Sequence, residues 1–287
     1  MKGHDGDAGV PAEINLEKFQ ECLSTKRFGR CVFFSRKVKS TSDWAKKLAK
    51  MGAEEGTVTV AETQTGGRGR FGREWASPRG GLWFSIILRP KLKAREAVKL
   101  VFVASLAVAK VLREKCKLET ETKWPNDVLV NGKKICGILA EMNTKTGNVD
   151  YVVLGVGVNA NFRVEDALPA SVRTTATSIQ NELDRKIRLD SLFKWLLEEI
   201  EATYDGCVKA GFASVLEEWK AYARFLGHGV VVTDGEERLN GLALDVDLEG
   251  ALILRLENET KKRILVGDVT LTDHSMRVSE RGRFRIR

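Results

Sequence analysis

The sequence predicts an α/β fold, a sheet with flanking helices, followed by a small all-β module. Two patterns predict it. Up to about residue 225, short apolar strand-like runs alternate with segments of helical periodicity. After Leu226, short strand runs recur between turn dipeptides with no helical segment among them. The length of 287 residues suits one good-sized domain plus a smaller one.

Residues 1–14 are small and polar and are expected to form a mobile tail. A helix near residues 15–24 leads to the strand RCVFFSRKV. Ser40-Thr41-Ser42 then supplies cap chemistry for the helix DWAKKLAKM, whose Trp44, Leu48 and Met51 recur at helical spacing. GTVTVAETQ reads as a strand running into a glycine–arginine loop, and GLWFSIILRP as a strand leaving it. EAVKLVFVASLAVAKVLREK is apolar on nearly all faces, as in a helix buried against a sheet. ETKWPNDVLVNGKKICGILAEMN predicts a hairpin turning at Asn131-Gly132. DYVVLGVGVNANF is a further strand, and helices follow near 190–205 and 211–224. Beyond them, Asp234-Gly235, Asn240-Gly241, Glu249-Gly250 and Asn258-Glu259 mark the turns of the β module. The expected units are 15–225 and 226–278, with a basic tail at 279–287.

Bulk properties exclude several classes. Hydrophobic content of 43% and charged content of 30% describe an ordinary globular protein. The formal charge of +8 is a modest excess that suits an anionic substrate such as a nucleotide. The five cysteines are scattered without a CxxC pair, which points away from a disulfide framework or zinc site and towards a reducing cytoplasm. No apolar run reaches membrane-spanning length, and the first residues lack a signal-peptide core.

The stretch GGRGRFGREW (66–75) concentrates backbone freedom and fixed positive charge. Its Gly67-x-Gly69-x-x-Gly72 spacing matches a dinucleotide fingerprint, but Pro78 and Gly80-Gly81 follow where a helix would have to start. Arg73-Glu74 after Gly72 excludes a Walker A loop, and none of the three histidines begins a kinase HRD motif.

Read with KWPND (123–127), Lys134, Ser40-Thr41 and GVGVN (155–159), this loop closely resembles the biotin protein ligases, over most of residues 25–280. The resemblance implies a mixed sheet of the class II aminoacyl-tRNA synthetase type, followed by an SH3-like module. It implies activation of biotin by ATP to biotinyl-5′-AMP, with Mg²⁺, and transfer to a lysine of the carboxyl-carrier domain of a biotin-dependent carboxylase. Too few residues precede the matching region for a DNA-binding winged helix. That predicts the single-function type without specific DNA binding or membrane attachment, and a homodimer is compatible with it.

The chemistry asks for these residue types. A carboxylate attacking the α-phosphate of ATP needs positioning and charge neutralisation. Arg68, Arg70 and Arg73 offer forked donors to phosphate oxygens, and Gly66, Gly67, Gly69 and Gly72 let backbone amides approach. As an unpaired cluster these arginines would repel one another and keep the loop mobile until ligand binds. By resemblance Gln64 and Arg68 lie near the biotin head and Arg70 near the adenylate. Lys134 takes the place of the catalytic lysine, with Lys123 as a second cation. Lys133 points to the opposite face if the strand alternates, and a one-residue register error would exchange the two. Asp127 is a candidate Mg²⁺ contact or simply a turn residue after Pro125-Asn126. Ser40, Thr41, Ser42 and Gln64 offer hydrogen bonds to the ureido group, although Ser40-Thr41 also serves as a helix cap. Trp75, Leu82 and Trp83 would form walls. Gly137, Gly155, Gly157 and Asn159 would leave ligand space or allow close packing. Trp124 would stack on adenine or fill core. The rival readings are a lipoate ligase of the same fold and a non-catalytic nucleic-acid-binding module that uses the arginines as a phosphate track.

Overall fold

The computed structural model describes residues 16–234 and 237–272. The tails expected at 1–14 and 279–287 lie outside the described residues. Helix α1 (Leu16–Cys22) precedes β1 (Val32–Val38), α2 (Thr41–Lys50), β2 (Val58–Gln64), β3 (Leu82–Leu88), α3 (Ala94–Ala97) and α4 (Leu100–Cys116). Then come β4 (Thr120–Lys123), β5 (Asp127–Val130), β6 (Lys133–Lys145) and β7 (Asn148–Val158). Three short helices, α5 (Val164–Ala167), α6 (Ala170–Arg173) and α7 (Ile179–Leu183), lead to the long α8 (Leu189–Ala210) and to α9 (Phe212–Ala221). The last strands are β8 (Gly229–Asp234), β9 (Glu237–Val246), β10 (Leu252–Arg255), β11 (Lys261–Ile264) and β12 (Asp268–Leu271).

The first seven strands form one mixed sheet in the order β1-β2-β3-β7-β6-β5-β4. β1 and β2 run parallel with α2 as the crossover, and the other pairs are antiparallel. β3 is buried along its whole length, which explains a run that is apolar except for Ser85. Its Leu82, Phe84, Ile86 and Leu88 join the main core with α4 and α8. Ile87 faces the opposite layer, against Ala45 and Ala49 of α2 and Tyr151 and Val153 of β7. The site sits on this second face.

Helix α2 forms where expected, but its buried side is not the stripe read from the sequence. Thr41, Ser42, Ala45 and Ala49 face inward, and Met51 is exposed beyond the last turn. Small side chains let the helix lie close on the sheet, with Leu48 half-buried at the edge of the same cluster and Trp44 half-buried. The Asn131-Gly132 turn is present, with φ of 51° and 72°, the left-handed pair that a two-residue hairpin requires.

β8 to β12 make a separate antiparallel sheet in the order β11-β10-β9-β8-β12. The turn expected at Asn240-Gly241 is not there, because β9 runs through both residues. A Cβ on Gly241 would lie 2.5 Å from the Arg255 carbonyl oxygen, so this glycine serves close strand packing rather than a turn.

Candidate active site

A half-open cleft of about 490 Å³, counting the solvent at its mouth, lies between the start of α2, the glycine–arginine loop and the β6–β7 strands. One end is rich in neutral hydrogen-bonding groups, with Arg68 also in the lining. Ser40 caps α2 by accepting from the Asp43 amide. The Thr41 amide donates to Gln64 Oε1 at 2.8 Å, and Thr41 Oγ1 lies 2.9 Å from Ser85 Oγ. Ser85 Oγ is also 3.1 Å from Ser42 Oγ, and Gln64 Nε2 donates to Ser77 Oγ at 2.8 Å. These bonds fix the rotamers of Thr41, Ser42 and Gln64, all of which line the cleft with Ser40. Ser40 is therefore both a cap and a lining residue, as its two readings allowed.

The loop is pinned from two sides, so the expected unpaired cluster is corrected. Arg68 makes a two-pronged pair with Asp43, Nη1 to Oδ2 at 2.6 Å and Nη2 to Oδ1 at 2.7 Å, and reaches Glu141 at 3.3 Å. Its fork is thus committed to a carboxylate and not held out for phosphate. The guanidinium holds the Asp43 carboxyl below the ordinary aspartate value of 3.8, against an opposing push from partial burial. Arg70 lines the cleft and donates from Nη1 to Gly267 O at 2.9 Å, Asp268 Oδ1 at 3.2 Å and Asn126 Oδ1 at 3.4 Å. Arg73 points out of the cleft and pairs with the other oxygen of Asp268. Gly69 lines the cleft, whereas Gly67 does not; a Cβ on Gly67 would sit 2.4 Å from Trp75 O. Phe71 and Gly72 both have positive φ, 56° and 71°, which folds the loop tip back on itself.

The other end is cationic. Lys134 Nζ lies 2.7 Å from Asp127 Oδ1 and 5.1 Å from the centre of the Trp75 ring. It reaches the cleft through a bulge. Leu129 pairs with Lys134 but Val128 pairs with Cys136, which leaves Ile135 as the extra residue. Lys134 therefore shares a face with Asp127 and Gly137, while Lys133 is exposed. Lys123 does not line the cleft but belongs to the same field. Burial lowers its pKa, with Asp127 opposing and Lys134 reinforcing. A partly buried ammonium short of counter-charge favours an incoming anion.

Trp75 forms the wall between the two ends. Its ring occupies the space left by Gly157, where a Cβ would lie 2.6 Å from Nε1, and that buried indole nitrogen has no hydrogen-bond partner among the described residues. The Gly155 space is taken by Ser42 Oγ, 2.8 Å from where a Cβ would be. Gly137, Gly155 and Gly157 all line the cleft, so the missing side chains serve the ligand space and the close approach of Trp75 and Ser42 together. Trp83 backs Trp75 edge-on at 6.3 Å without lining the cleft, and Leu82 lies in the core on the opposite face. The Asn159 amide is buried and donates to Thr177 O at 2.9 Å. Trp124 is core, with its indole donating to Gly250 O. Asn126, Ser85, Asp43, Glu141 and Asp268 were not singled out from the sequence. Asn126 stood inside KWPND and Asp43 in the first turn of α2, while Asp268 left no local signal.

Among the described residues no three His, Cys, Asp or Glu side chains converge as a metal set. Asp127 is a lone carboxylate facing cations, a donor set that fits only a Mg²⁺ ion carried largely by phosphate oxygens.

Both modules have counterparts among known proteins. Residues 34–159 match the Biotin/lipoate A/B protein ligase family, and residues 225–271 match the Biotin protein ligase C terminal domain. The chain is 34% identical over 262 residues to the bifunctional ligase/repressor BirA of Bacillus subtilis, covering 91% of this chain and 80% of that protein. It is 34% identical over 218 residues to the biotin–[acetyl-CoA-carboxylase] ligase of Paracoccus denitrificans, covering 75% and 90%. The biotin protein ligase of Aquifex aeolicus, solved in complex with biotin and ATP, superposes with a TM-score of 0.73 at 27% identity, over 85% of this chain and 99% of that one. With both modules matched in order and a relative at this identity spanned over most of its length, the chain belongs to the biotin protein ligase family.

Proposed function

We infer that the protein is an ATP-dependent biotin protein ligase. The observation that carries this is the polarity of the cleft, with locked hydroxyl and amide groups at one end and Arg70 and Lys134 at the other. That pattern suits a ligand neutral at its head and anionic at its reacting tail. Ser40, Thr41, Ser42 and Gln64 bind the ureido head, and Trp75 covers the acyl chain. A biotin carboxylate oxygen attacks the α-phosphorus of ATP, the bond to the β-phosphate oxygen breaks, and pyrophosphate leaves. Lys134 bridges the carboxylate and the α-phosphate, while Arg70 and Lys123 share the charge on the phosphates. In the second step a carrier lysine amine attacks the acyl carbon of biotinyl-AMP, forming the amide and releasing AMP. Mg²⁺ would neutralise the pyrophosphate side, with Asp127 as the protein group nearest to hold it.

The acceptor is a carboxyl-carrier domain of a biotin-dependent carboxylase, in keeping with the named activity of the Paracoccus denitrificans relative. No helix among the described residues is long and apolar enough to cross a membrane. The five cysteines are all free, which suits a cytoplasmic setting. The test is biotin-dependent exchange of pyrophosphate into ATP. Exchange driven by biotin and not by lipoate is expected, and exchange with lipoate alone would overturn the assignment.

A further inference from the structure

The C-terminal sheet places one carboxylate on the catalytic loop. Asp268 opens β12, its backbone is fixed by pairing with Thr233 of β8, and the neighbouring Val269 is buried. One carboxylate oxygen takes the Arg70 guanidinium and the other takes Arg73. The adjacent Gly267 carbonyl accepts from the same Arg70 nitrogen, and Asn126 meets it from the turn between β4 and β5. The two guanidiniums also flank the Phe71 ring, at 4.8 and 5.6 Å. Two like charges three residues apart would otherwise repel, and each long side chain would sample many rotamers.

We propose that Asp268 is a positioning residue for adenylation: it holds Arg70 at the cleft mouth, so that the C-terminal module presets the nucleotide-binding arginine. The inference rests on the ligase reading for its catalytic consequence, though not for the contact itself. A carboxylate can also compete with phosphate for the same guanidinium. Positioning prevails here because Arg70 is anchored by three groups, Asp268 on β12, Gly267 just before it and the buried Asn126 in the β4–β5 turn, and Arg73, largely exposed, leaves most of its charge to solvent.

Asp268→Asn keeps the shape and removes the charge. The expected result is a KM for ATP raised roughly three- to tenfold, in the range of a partly exposed charge-assisted contact, with the KM for biotin unchanged. Biotin released as adenylate and captured by serum albumin should rise with it, and Asp268→Glu should recover much of the ATP KM. A merely structural role would lower the amount of active enzyme and leave the two KM values alone. Limited trypsin digestion without substrates supplies a readout independent of catalysis, and Asp268→Asn should be cut faster after Arg70 and Arg73. A lower ATP KM, or wild-type values of KM, adenylate release and cleavage together, would overturn the proposal. Absence of biotin-dependent exchange in the wild type would overturn the ligase reading instead. Faster cleavage of the variant would then still support the hold on the loop, and equal cleavage would overturn it.

Discussion

Lys134 reaches the cleft only because Ile135 is bulged. Strict alternation would put Lys134 on the side of Cys136 and Ile138, which are core. Alternation alone could not settle the choice between Lys133 and Lys134, and the motif resemblance selected Lys134. The bulge has no signature of its own in KKICG, since it arises from how β5 and β6 accommodate two apolar residues in succession. Lys134→Ala should cut adenylate formation by on the order of a hundredfold to a thousandfold, the usual cost of a lost electrostatic stabiliser. Lys133→Ala should stay near wild type, and the reverse pattern in single-turnover adenylation would refute this register. Asp43 gives a pH prediction. Its folded pKa lies below the ordinary 3.8, so its pairing with Arg68 stabilises the fold fully above that value and is lost as pH falls through the lower folded value. Asp43→Asn should therefore flatten the acid limb of urea midpoints below pH 3.8. An unchanged limb would mean that the pair adds nothing.

At the scale of elements, the glycine–arginine loop was legible as a site but not as a structure. Its composition showed the charge. The partners of that charge come from α2, β6 and β12, up to 198 residues away in sequence, where no local pattern could reveal them. The same limit explains Leu82 and Trp83. A fully buried strand shows no alternation of polarity, so its two faces read alike. Arg70→Gly tests the loop as a retaining element. Biotinyl-AMP is a mixed anhydride reactive towards amines, and a charge-assisted contact to it is worth roughly 1.5–3 kcal/mol. Losing that contact should raise adenylate escape about tenfold to a hundredfold. Synthesis should survive in part, because Lys134 and Lys123 remain. Biotin on serum albumin, measured after incubation with enzyme, biotin and Mg-ATP, reports the escape; labelling no faster than wild type would show that Arg70 does not hold the intermediate.

At the scale of the molecule, the two modules share one core. The alternation of elements and the change of pattern after Leu226 predicted both modules, but not how closely they join. Trp124 and Phe102 of the first sit in the same cluster as Leu252 and Leu254 of the second. The buried Trp124 indole donates to Gly250 O at 2.9 Å, Lys99 Nζ to Leu248 O at 3.1 Å, and Lys220 pairs with Asp245 at 2.8 Å. All six tryptophans precede residue 225, so their fluorescence reports the first module, whereas far-ultraviolet dichroism reports both. With one hydrophobic cluster shared between the modules, the two signals should melt together in one transition. Trp124→Phe removes the donor and part of the ring, at a cost of about 1–3 kcal/mol. For a protein of this size that lowers the melting temperature by roughly 2–4 °C per kcal/mol. The two signals should shift together. A dichroism transition that precedes the fluorescence one, in the wild type or the variant, would mean that the β module unfolds by itself and that the Gly250 contact does not couple it to the catalytic sheet.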